Sequence, residues 1–438
     1  MIHDLLGQTF PCECGRTHVA PVNAMVYHEG ALEELPGLFD RHAPGRNPVL
    51  LADMRTWAVC GKAAARVMEK AGRPTGLVML PDPASGEPVC DDLTKAWLES
   101  QVPGTTTALL AVGSGVVNDL AKWVAADRDI PYMVVATAAS MNGYSSANIA
   151  PAIRGVKRVL EGRAPFAVAA LPSVLAAAPG ALTSAGLGDV IAKPVSMTDW
   201  KINQFLFGEY FCPLCARLIR DLEPGYMNHP EGVLKREPAA MEALFMALLY
   251  SGLSMTLAGT SFPASGGEHM MSHVLDMKAM AGGRRHDYHG RQVGVGTLVA
   301  GALYERLLAL EEPRFQVRVE PTDTGYWGAL ASVVDEEHAV KRERAAQAVE
   351  RLKQPGAWAA VRAIIAENAV STTRIKDCLK RAGAAHRLAD IGCSRDDFIN
   401  AILRSHQIRA RYTVLDLARA AGILPGAAGD IVDAWLMA

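Results

Sequence analysis

The alternation of short apolar runs with helical stretches near the N-terminus is the feature that most restricts the fold of this chain. Four such runs are present: PVLLAD (48–53), GLVMLPD (76–82), TALLAVG (107–113) and YMVVAT (132–137). Continuous apolar runs of this length are typical of strands buried on both faces, and helices between them connect parallel neighbours. The pattern predicts a parallel sheet covered by helices, the layout of a nucleotide-binding α/β domain.

The rest of the chain has a different character. From about Leu171 onward, long Ala/Leu/Met-rich segments such as EALFMALLYSGLSMTLAG and QVGVGTLVAGALYERLLAL replace the β-branched runs. A change from alternating elements to consecutive helices is expected at a domain boundary. We therefore expect a nucleotide-binding α/β domain with a short N-terminal extension over residues 1–172 and a helical domain over residues 173–438.

Charge and hydropathy exclude some classes of partner. Lys plus Arg total 44 against 46 for Asp plus Glu, so no basic field is available to attract nucleic acid or anionic membrane. The start MIHDLLGQTF lacks the basic and apolar regions of a secretion signal. No later stretch offers the ~20 uninterrupted apolar residues of a spanning helix. We expect a cytoplasmic protein with no nucleic-acid partner and no membrane span.

Two of the cysteine spacings could carry chemistry. Cys12-Glu-Cys14-Gly-Arg-Thr-His18 offers three metal ligands, one short of a closed structural zinc site. The simpler interpretation is an N-terminal turn with incidental thiols. In Cys212-Pro-Leu-Cys215, the proline suits a first helical turn, so this pair is interpreted as buried helix cysteines.

A glycine-rich turn follows the third apolar run. Gly113-Ser114-Gly115 lets the backbone approach a phosphate at a helix N-terminus, although such a turn can also serve packing alone. Polar residues after the next run could line the same site: Thr137, Ser140, Asn142 and Ser145. Asp53, at the end of the first run, could bind an adenosine ribose or could cap a helix.

Histidines and a carboxylate could form a metal site in the second half. Ser265-Gly-Gly-Glu268 has the pattern of a capping box, so a helix should begin at about Gly266 with His269 and His273 on one face. Two further candidates are Asp189 and His289. Two histidines and one carboxylate leave an open coordination position, as in catalytic zinc sites. A single histidine is more simply interpreted as a satisfied core residue.

Four motifs, in order along the chain, resemble those of the glycerol-1-phosphate dehydrogenases. They are Gly113-Ser-Gly-x-x-Asn-Asp119-x-x-Lys122, Gly188-Asp189-Val-Ile-Ala-Lys193, Ser265-Gly-Gly-Glu-His269-x-x-x-His273 and His289-Gly-x-x-Val-Gly-x-Gly. That family belongs with the glycerol dehydrogenases, the iron-containing alcohol dehydrogenases and the dehydroquinate synthases. The resemblance implies a dehydroquinate synthase-like fold: an α/β nucleotide-binding domain followed by an all-α domain that binds metal and substrate.

The resemblance also implies an activity and its residues. The expected reaction interconverts a small polyol or polyol phosphate, such as glycerol 1-phosphate, and its ketone with NAD or NADP. The residues carried over are the metal ligands Asp189, His269 and His289, and the dinucleotide contacts Gly113, Ser114, Gly115 and Asp119. His273, Lys193 and Asn142 are the catalytic candidates. Because iron-type members have a histidine where this chain has Lys193, three ligands and zinc are expected rather than iron or nickel. A homo-oligomer is also expected.

Two departures leave the substrate open. Family members usually have aspartate in the segment that contains Asn142 and arginine at the position of Phe262, so a carboxylate and a guanidinium are missing. Two alternatives therefore remain. One is a carbocycle-forming lyase of the dehydroquinate synthase type, although those enzymes generally have glutamate in place of Asp189. The other is a non-catalytic nucleotide-binding relative.

Overall fold

The computed structural model describes residues 4–83 and 86–438, which divide into two compact units. Unit 1 comprises Met1–Gly186 and Arg217–Thr260, and unit 2 comprises Leu187–Ala216 and Ser261–Ala438. The first change between units therefore occurs inside a helix after Gly186, and not at the predicted residue 172. The chain also returns to unit 1 after residue 216, so no single point divides it.

All strands of the described residues lie in unit 1. They are β1 (Thr9–Pro11), β2 (Thr17–Val19), β3 (Ala24–Tyr27), β4 (Pro48–Asp53), β5 (Gly76–Leu80), β6 (Ala108–Gly113), β7 (Tyr132–Ala136), β8 (Asn148–Ile149), β9 (Ala152–Ile153), β10 (Val156–Lys157), β11 (Leu160–Glu161) and β12 (Ala167–Ala170). Six of them form a parallel sheet in the order β3-β12-β7-β6-β4-β5. Strands β4 to β7 coincide with the four predicted runs, and the sheet confirms the predicted α/β class.

The strand order reverses between β4 and β6. The chain passes from β4 to its neighbour β5 on one side and returns as β6 on the other side of β4. Open α/β sheets bind ligands outside the carboxyl ends of the strands at such a reversal. Asp53 ends β4 and Gly113 ends β6, so the two predicted nucleotide-binding positions flank this point.

Helices surround the sheet in unit 1 and make up the regular structure described in unit 2. They are α1 (Leu35–His42), α2 (Met54–Thr56), α3 (Lys62–Lys70), α4 (Asp92–Gln101), α5 (Gly115–Asp127), α6 (Pro172–Ala177), α7 (Gly180–Ile191), α8 (Lys193–Phe207), α9 (Pro213–Arg220), α10 (Glu223–Met227), α11 (Pro230–Leu234), α12 (Pro238–Ala258), α13 (Gly267–Ala281), α14 (His289–Leu308), α15 (Thr324–Trp327), α16 (Ala331–Leu352), α17 (Ala357–Asn368), α18 (Thr372–Arg381), α19 (Arg395–Arg404), α20 (Val414–Ala420) and α21 (Ala428–Leu436). A π-helical turn, Trp57–Gly61, joins α2 to α3. Helix α9 begins at Pro213, so Cys215 lies in the helix as predicted, whereas Cys212 precedes it; both cysteines are buried, as predicted.

Helix α12 belongs to unit 1 because it packs against the loop after β7. A Cβ on Gly252 would lie 2.1 Å from the carbonyl oxygen of Asn142, so the helix and loop backbones are in direct contact. The Ser145 hydroxyl donates to the carbonyl oxygen of Leu249. These contacts join residues about a hundred positions apart in sequence, which explains why the composition change at residue 172 does not mark the division.

The expectation that the chain has no apolar stretch long enough to span a membrane does not hold for helix α12. It has 21 residues, and its most apolar window has a mean hydropathy of 1.4, enough by length and composition to cross a membrane. Glu242 interrupts the apolar run, so inspection of the sequence missed it. In the structure, 72% of that window is buried, as in the core helix of a globular unit.

A pair of buried histidines should make unit 2 sensitive to acid. His338 contacts the ring of His406, and burial, together with Arg342, lowers the pKa of His338 to about 4. Its unfolded pKa is about 6.5. The unfolded chain therefore binds more protons between these values, so stability present above pH 6.5 is lost as pH falls toward 4.

The loss from His338 is expected to be at most about 3 kcal/mol of unfolding free energy, since one pKa unit corresponds to about 1.4 kcal/mol. Urea unfolding at pH 7.5 and pH 5 measures it. Between pH 7.5 and pH 5, the unfolding free energy of His338→Gln should fall by less than that of the wild type. The unfolding free energy of the control His229→Gln, in which an exposed histidine is replaced, should fall by as much as that of the wild type. Equal losses in His338→Gln and the wild type would contradict the assignment.

Candidate functional site

Three segments of unit 2, the end of α7 after Gly186 and helices α13 and α14, approach one another at glycine residues. A Cβ on Gly188 of α7 would lie 2.0 Å from the carbonyl oxygen of Gly290 in α14. A Cβ on Gly296 of α14 would lie 2.9 Å from the carbonyl oxygen of Glu268 in α13. Only glycine allows backbones to come this close. The polar residues next to these glycines are therefore brought together.

Asp189 is buried and paired with Lys193. Its Oδ1 lies 2.8 Å from the Lys193 Nζ, which also donates to the carbonyl oxygen of Ala264 at 3.1 Å. Burial alone would raise the pKa of Asp189, but the Lys193 ammonium and His269 outweigh it and hold the pKa well below its usual range. The carboxyl group is therefore ionised at neutral pH, as a metal ligand must be.

His269 lies in the first turn of α13, between two carboxylates. Its Nε2 is 3.6 Å from the Asp189 Oδ1, and its Nδ1 is 2.6 Å from the Glu268 Oε1. In the neutral imidazole, the Nδ1 proton is donated to Glu268, and the Nε2 lone pair is left toward Asp189. A carboxylate that orients a histidine in this way is the usual outer partner of a metal-ligating histidine. No sequence pattern indicated this role of Glu268.

The predicted capping box is not formed. Helix α13 begins at Gly267, one residue from the predicted start, and the hydroxyl of Ser265 does not cap it. The Gly267 N–H instead donates to the Asp199 Oδ2 of α8 at 2.8 Å, while the Glu268 Oε1 accepts from the Gly266 N–H. A carboxyl group distant in sequence therefore replaces the local cap, and the Glu268 Oε1 accepts from both the Gly266 N–H and the His269 Nδ1.

The remaining histidines complete an imidazole cluster. The ring centroids of His269 and His289 are 5.1 Å apart, and those of His273 and His289 are 5.2 Å apart with nearly parallel planes. The His289 Nδ1 lies 2.8 Å from the Ser272 Oγ. This hydrogen bond orients the His289 ring and leaves Nε2 as its ligand atom. The structure thus brings together Asp189 and the three predicted histidines.

A second carboxylate lies at the same cluster. Donor atoms of His273, Asp276 and His289 lie within 4.8 Å of one another, and no sequence motif pointed to Asp276. Asp276 is fully buried, with its Oδ1 3.1 Å from the Nδ1 of His286. The donor atoms that the structure groups here are therefore those of His273, Asp276 and His289, whereas the predicted set joins Asp189 to His269 directly and reaches His289 through the contact of the two rings. The two sets need separate experimental tests.

The position where the family usually has arginine is covered by another arginine. The guanidinium carbon of Arg411 lies 4.0 Å from the centroid of the Phe262 ring, the geometry of a cation–π contact. The Arg411 Nη2 donates to the Ser261 Oγ at 2.8 Å, and its Nη1 donates to the carbonyl oxygen of Ser265. Burial lowers the pKa of Arg411 to about 10, so it stays charged at neutral pH.

In unit 1, the predicted phosphate turn connects β6 to α5. Gly113 ends the strand, Ser114 is the N-cap position, and Gly115 begins a helix of 13 residues. A Cβ on Gly113 would lie 2.5 Å from the Cβ of Val117, so the turn requires glycine. The turn thus has the backbone geometry and the helix N-terminus that favour an anion.

Asp119 and Lys122 hold the loop that follows β7. Lys122 is fully buried, and its ammonium donates to the carbonyl oxygens of Gly143 and Asn148, both at 2.8 Å. Burial lowers the pKa of Lys122, and Asp119, 3.4 Å away, opposes this effect. The motif that contains both residues therefore fixes the loop beside the glycine turn.

Other predicted residues of unit 1 have structural partners. The Asn142 Nδ2 lies 3.3 Å from the Ser251 Oγ, and the Ser145 hydroxyl is bonded to α12. Thr137 and Ser140 follow β7 and are buried, and the Thr137 N–H donates to the carbonyl oxygen of Gly113 at 3.2 Å. The roles of these four residues in cofactor binding and catalysis stay predictions.

Asp53 forms the helix cap that was one of its two interpretations. Its Oδ1 accepts from the Thr56 N–H at 2.8 Å, and its own N–H donates to the Thr56 hydroxyl, a complete capping box. Its Oδ2 is 3.3 Å from the Arg55 Nη2. Ribose binding by Asp53 stays a prediction beside this structural role.

Comparison with known proteins agrees with these motifs. A family profile for iron-containing alcohol dehydrogenases matches residues 26–179. The chain is 28% identical over 419 residues to a glycerol-1-phosphate dehydrogenase [NAD(P)+] of Bacillus licheniformis, covering 95% of this chain and 94% of that protein. It is 32% identical over 279 residues to one of Methanosarcina mazei, covering 64% of this chain and 75% of that protein.

Solved structures show the same fold. The crystal structure of glycerol dehydrogenase from Schizosaccharomyces pombe superimposes with a TM-score of 0.61 at 16% sequence identity, covering 94% of this chain and 90% of that one. An NADH-dependent butanol dehydrogenase from Thermotoga maritima gives 0.58 at 16% identity, over 95% and 99% of the two chains. Together with the four motifs and the Asp189–histidine cluster, these matches show that the chain belongs to the glycerol-1-phosphate dehydrogenase family.

Proposed function

We propose that the protein is a metal-dependent NAD(P) dehydrogenase that interconverts glycerol 1-phosphate, or a closely similar polyol phosphate, and its ketone. The observation that carries the proposal is the buried pair of Asp189 and His269, with the His269 ring oriented by Glu268. The names of the relatives, which match over most of their length, support the same reaction.

The residues fit a divalent cation. We assign Asp189, His269 and His289 as its ligands, because one carboxylate and two imidazoles with oriented rings are a donor set of catalytic zinc sites. Lys193 stands where a fourth ligand would be needed for iron, which favours zinc over iron or nickel. When bound, the cation would polarise the substrate oxygen, and the nicotinamide would accept or return a hydride.

Two side chains have assigned roles in proton transfer and charge balance. His273, stacked on His289, moves the hydroxyl proton between substrate and solvent, since imidazole exchanges protons near neutral pH. Lys193 offsets the charge of Asp189 through its 2.8 Å contact. Asn142 would contact substrate as an amide in place of the usual carboxylate.

The nucleotide is assigned to unit 1. The N–H groups of residues 113–115 and the N-terminus of α5 would hold the pyrophosphate, and Asp119 and Lys122 support the adjoining loop. Thr137, Ser140 and Ser145 are the further predicted contacts.

Replacement of Gly113 by Ala should weaken NAD(P)H binding by about tenfold or more, because the new Cβ would overlap Val117 and shift the turn. Titration followed by nicotinamide fluorescence measures the Kd. The double variant Gly113→Ala/Val117→Gly removes the Val117 Cβ that the new methyl group would overlap, and it should recover part of the affinity. An unchanged Kd in a folded Gly113→Ala protein would exclude the turn from the nucleotide site.

Arg411 is proposed to supply the guanidinium that Phe262 lacks. It is held against the Phe262 ring and anchored to Ser261. A charged guanidinium is suited to a phosphate group because of its planar array of donors. The substrate would thus keep its phosphate contact even though the arginine comes from a different part of the sequence.

Arg411→Met should lower kcat/KM for glycerol 1-phosphate by roughly ten- to hundredfold, the loss expected for a hydrogen bond to a charged group. The value for glycerol, which has no phosphate, should fall much less. Steady-state rates on both substrates test this prediction, with the exposed Arg306→Met as the control. Equal losses on both substrates would indicate a purely structural role for Arg411.

A substrate screen tests the reaction itself. Reduced nicotinamide absorbance is followed with glycerol phosphates, polyols and keto-sugars, using NAD and NADP in parallel. Turnover of a polyol phosphate with stoichiometric change in NAD(P)H is the expected result. Product formation without net NAD(P)H change would indicate the lyase alternative, and tight nucleotide binding without any turnover would indicate a non-catalytic relative. A cytoplasmic homo-oligomer stays a prediction.

A further inference from the structure

The N-terminal hairpin of unit 1 has an unusual turn. Strands β1 and β2 pair antiparallel, and the turn between them carries Cys12 and Cys14. The Cys12 N–H donates to the carbonyl oxygen of Arg16, and the Gly15 N–H donates to that of Cys12, both at 2.9 Å. Gly15 has a φ of 82°, a left-handed conformation that suits glycine. The turn thereby directs two thiols to one side of the hairpin.

His18, on the second strand, meets these thiols. Donor atoms of Cys12, Cys14 and His18 lie within 4.8 Å of one another, and the Cys14 Sγ is 3.4 Å from the His18 Nε2. With the usual Zn–S and Zn–N bond lengths, a sulfur and a nitrogen bound to one tetrahedral zinc ion lie about 3.6 Å apart. The observed separation therefore requires little adjustment to accept an ion.

The orientation of His18 is a second, independent observation. His18 is buried, and its Nδ1 lies 2.8 Å from the carbonyl oxygen of Leu257 in the last turn of α12. A carbonyl oxygen only accepts hydrogen bonds, so Nδ1 carries the proton and Nε2 has the lone pair. A backbone carbonyl that holds one ring nitrogen while the other faces thiols is the arrangement typical of metal-ligating histidines.

A salt bridge lies beside the cysteines of the turn. The Arg217 Nη2 lies 2.5 Å from the Oε1 of Glu13, which stands between the two cysteines in sequence. None of the eight cysteines, all within the described residues, is in a disulfide.

We propose that Cys12, Cys14 and His18 bind a zinc ion, in addition to the cation assigned to Asp189. Two thiolates and one imidazole are soft and borderline donors that prefer zinc to magnesium or calcium. Water or another thiolate takes the fourth tetrahedral position. The ion stabilises the hairpin and, through His18 and Leu257, its attachment to α12. The residues interpreted from sequence as an incidental turn therefore form a metal site with three ligands from the hairpin.

Metal analysis of the full-length protein tests the proposal. The Asp189→Asn chain, which should lack the other cation, is purified without added metal, dialysed and analysed by mass spectrometry. It should retain one equivalent of zinc, and Asp189→Asn/Cys14→Ser should retain none. Asp189→Asn/Cys393→Ser, with a thiol outside the cluster replaced, is the control and should keep the ion. Absence of zinc from the Asp189→Asn and wild-type proteins, or equal zinc with and without Cys14, would overturn the site.

A second measurement uses the wild-type protein and so does not depend on the folding of a variant. A mercurial reagent added to the wild-type protein should release one equivalent of zinc to a chromogenic chelator, because it modifies Cys12 and Cys14. Cobalt loaded in place of zinc should show thiolate charge-transfer absorption, which the carboxylate and imidazoles of the Asp189 site do not produce. Cobalt binding without this absorption would contradict thiolate ligation, whatever the outcome for the dehydrogenase activity.

Discussion

Replacement of Asp189 by Asn is expected to remove the catalytic cation and to lower kcat/KM by about a thousandfold or more. The amide loses the charge that attracts the cation and leaves the buried Lys193 ammonium without the negative charge that it faces at 2.8 Å. A bound divalent ion contributes several kcal/mol to transition-state stabilisation, and each 1.4 kcal/mol corresponds to about tenfold in rate. Metal content and initial rates measure the two effects, with circular dichroism to verify that the variant is folded.

Asp276→Asn is the matched control for Asp189→Asn. Asp276 is also a buried carboxylate. It forms the second donor set with His273 and His289, and His289 belongs to the first set as well. If the cation is bound by Asp189, His269 and His289, Asp276→Asn should keep the metal. If Asp276→Asn loses the metal and Asp189→Asn retains it, the ion is bound by the second donor set, and the proposed ligands are contradicted.

Replacement of Gly188 by Ala should have the largest effect on stability. The new Cβ would lie 2.0 Å from the carbonyl oxygen of Gly290, a backbone atom that cannot rotate away. Helices α7 and α14 would have to separate, which should reduce the free energy of unfolding by about 3 kcal/mol or more. Because Asp189 follows Gly188 and His289 precedes Gly290, metal affinity should fall as well, by about tenfold or more. Urea unfolding and metal titration measure these changes.

Gly180→Ala, at the start of the same helix, is the control. A Cβ there would have the Arg236 Nη2 at 3.5 Å as its nearest neighbour, an ordinary contact. Its stability should stay within about 0.5 kcal/mol of the wild type. Wild-type stability and metal affinity in Gly188→Ala would mean that the close contact of α7 and α14 is not needed for the site.

The central strands of the sheet were predictable because their signal is local. Each of β4 to β7 is a continuous apolar run bounded by helical stretches, and the observed bounds differ from the predicted ones by two residues at most. Strands β3 and β12 were not predicted, because AMVY and AVAA are too short to differ from helical or loop sequence. Their place in the sheet depends on pairing with distant strands.

The metal-binding candidates were predictable only in part. Spacing placed His269 and His273 on one helix face, Asp189 and His289 were further candidates, and the family resemblance joined Asp189, His269 and His289 as a ligand set. Neither kind of signal pointed to the orienting role of Glu268, because the same residue also fits a capping box. The box did not form, since Asp199 of another helix supplied the cap. The contribution of Asp276 to the cluster was likewise invisible along the chain.

Residue order alone is sufficient for the α/β class, the glycine turn after β6 and the family to which the chain belongs. These features depend on side chains within a few positions of one another, so periodicity and motifs reveal them. Tertiary structure alone assigned α12 to the sheet unit, joined Glu268 to His269, set Arg411 over Phe262 and gathered Cys12, Cys14 and His18 around one point. Each of these arrangements depends on which backbone segments come close enough for side chains distant in sequence to meet. Glycines permit such close contacts, but their positions in the sequence do not indicate which segment each of them contacts.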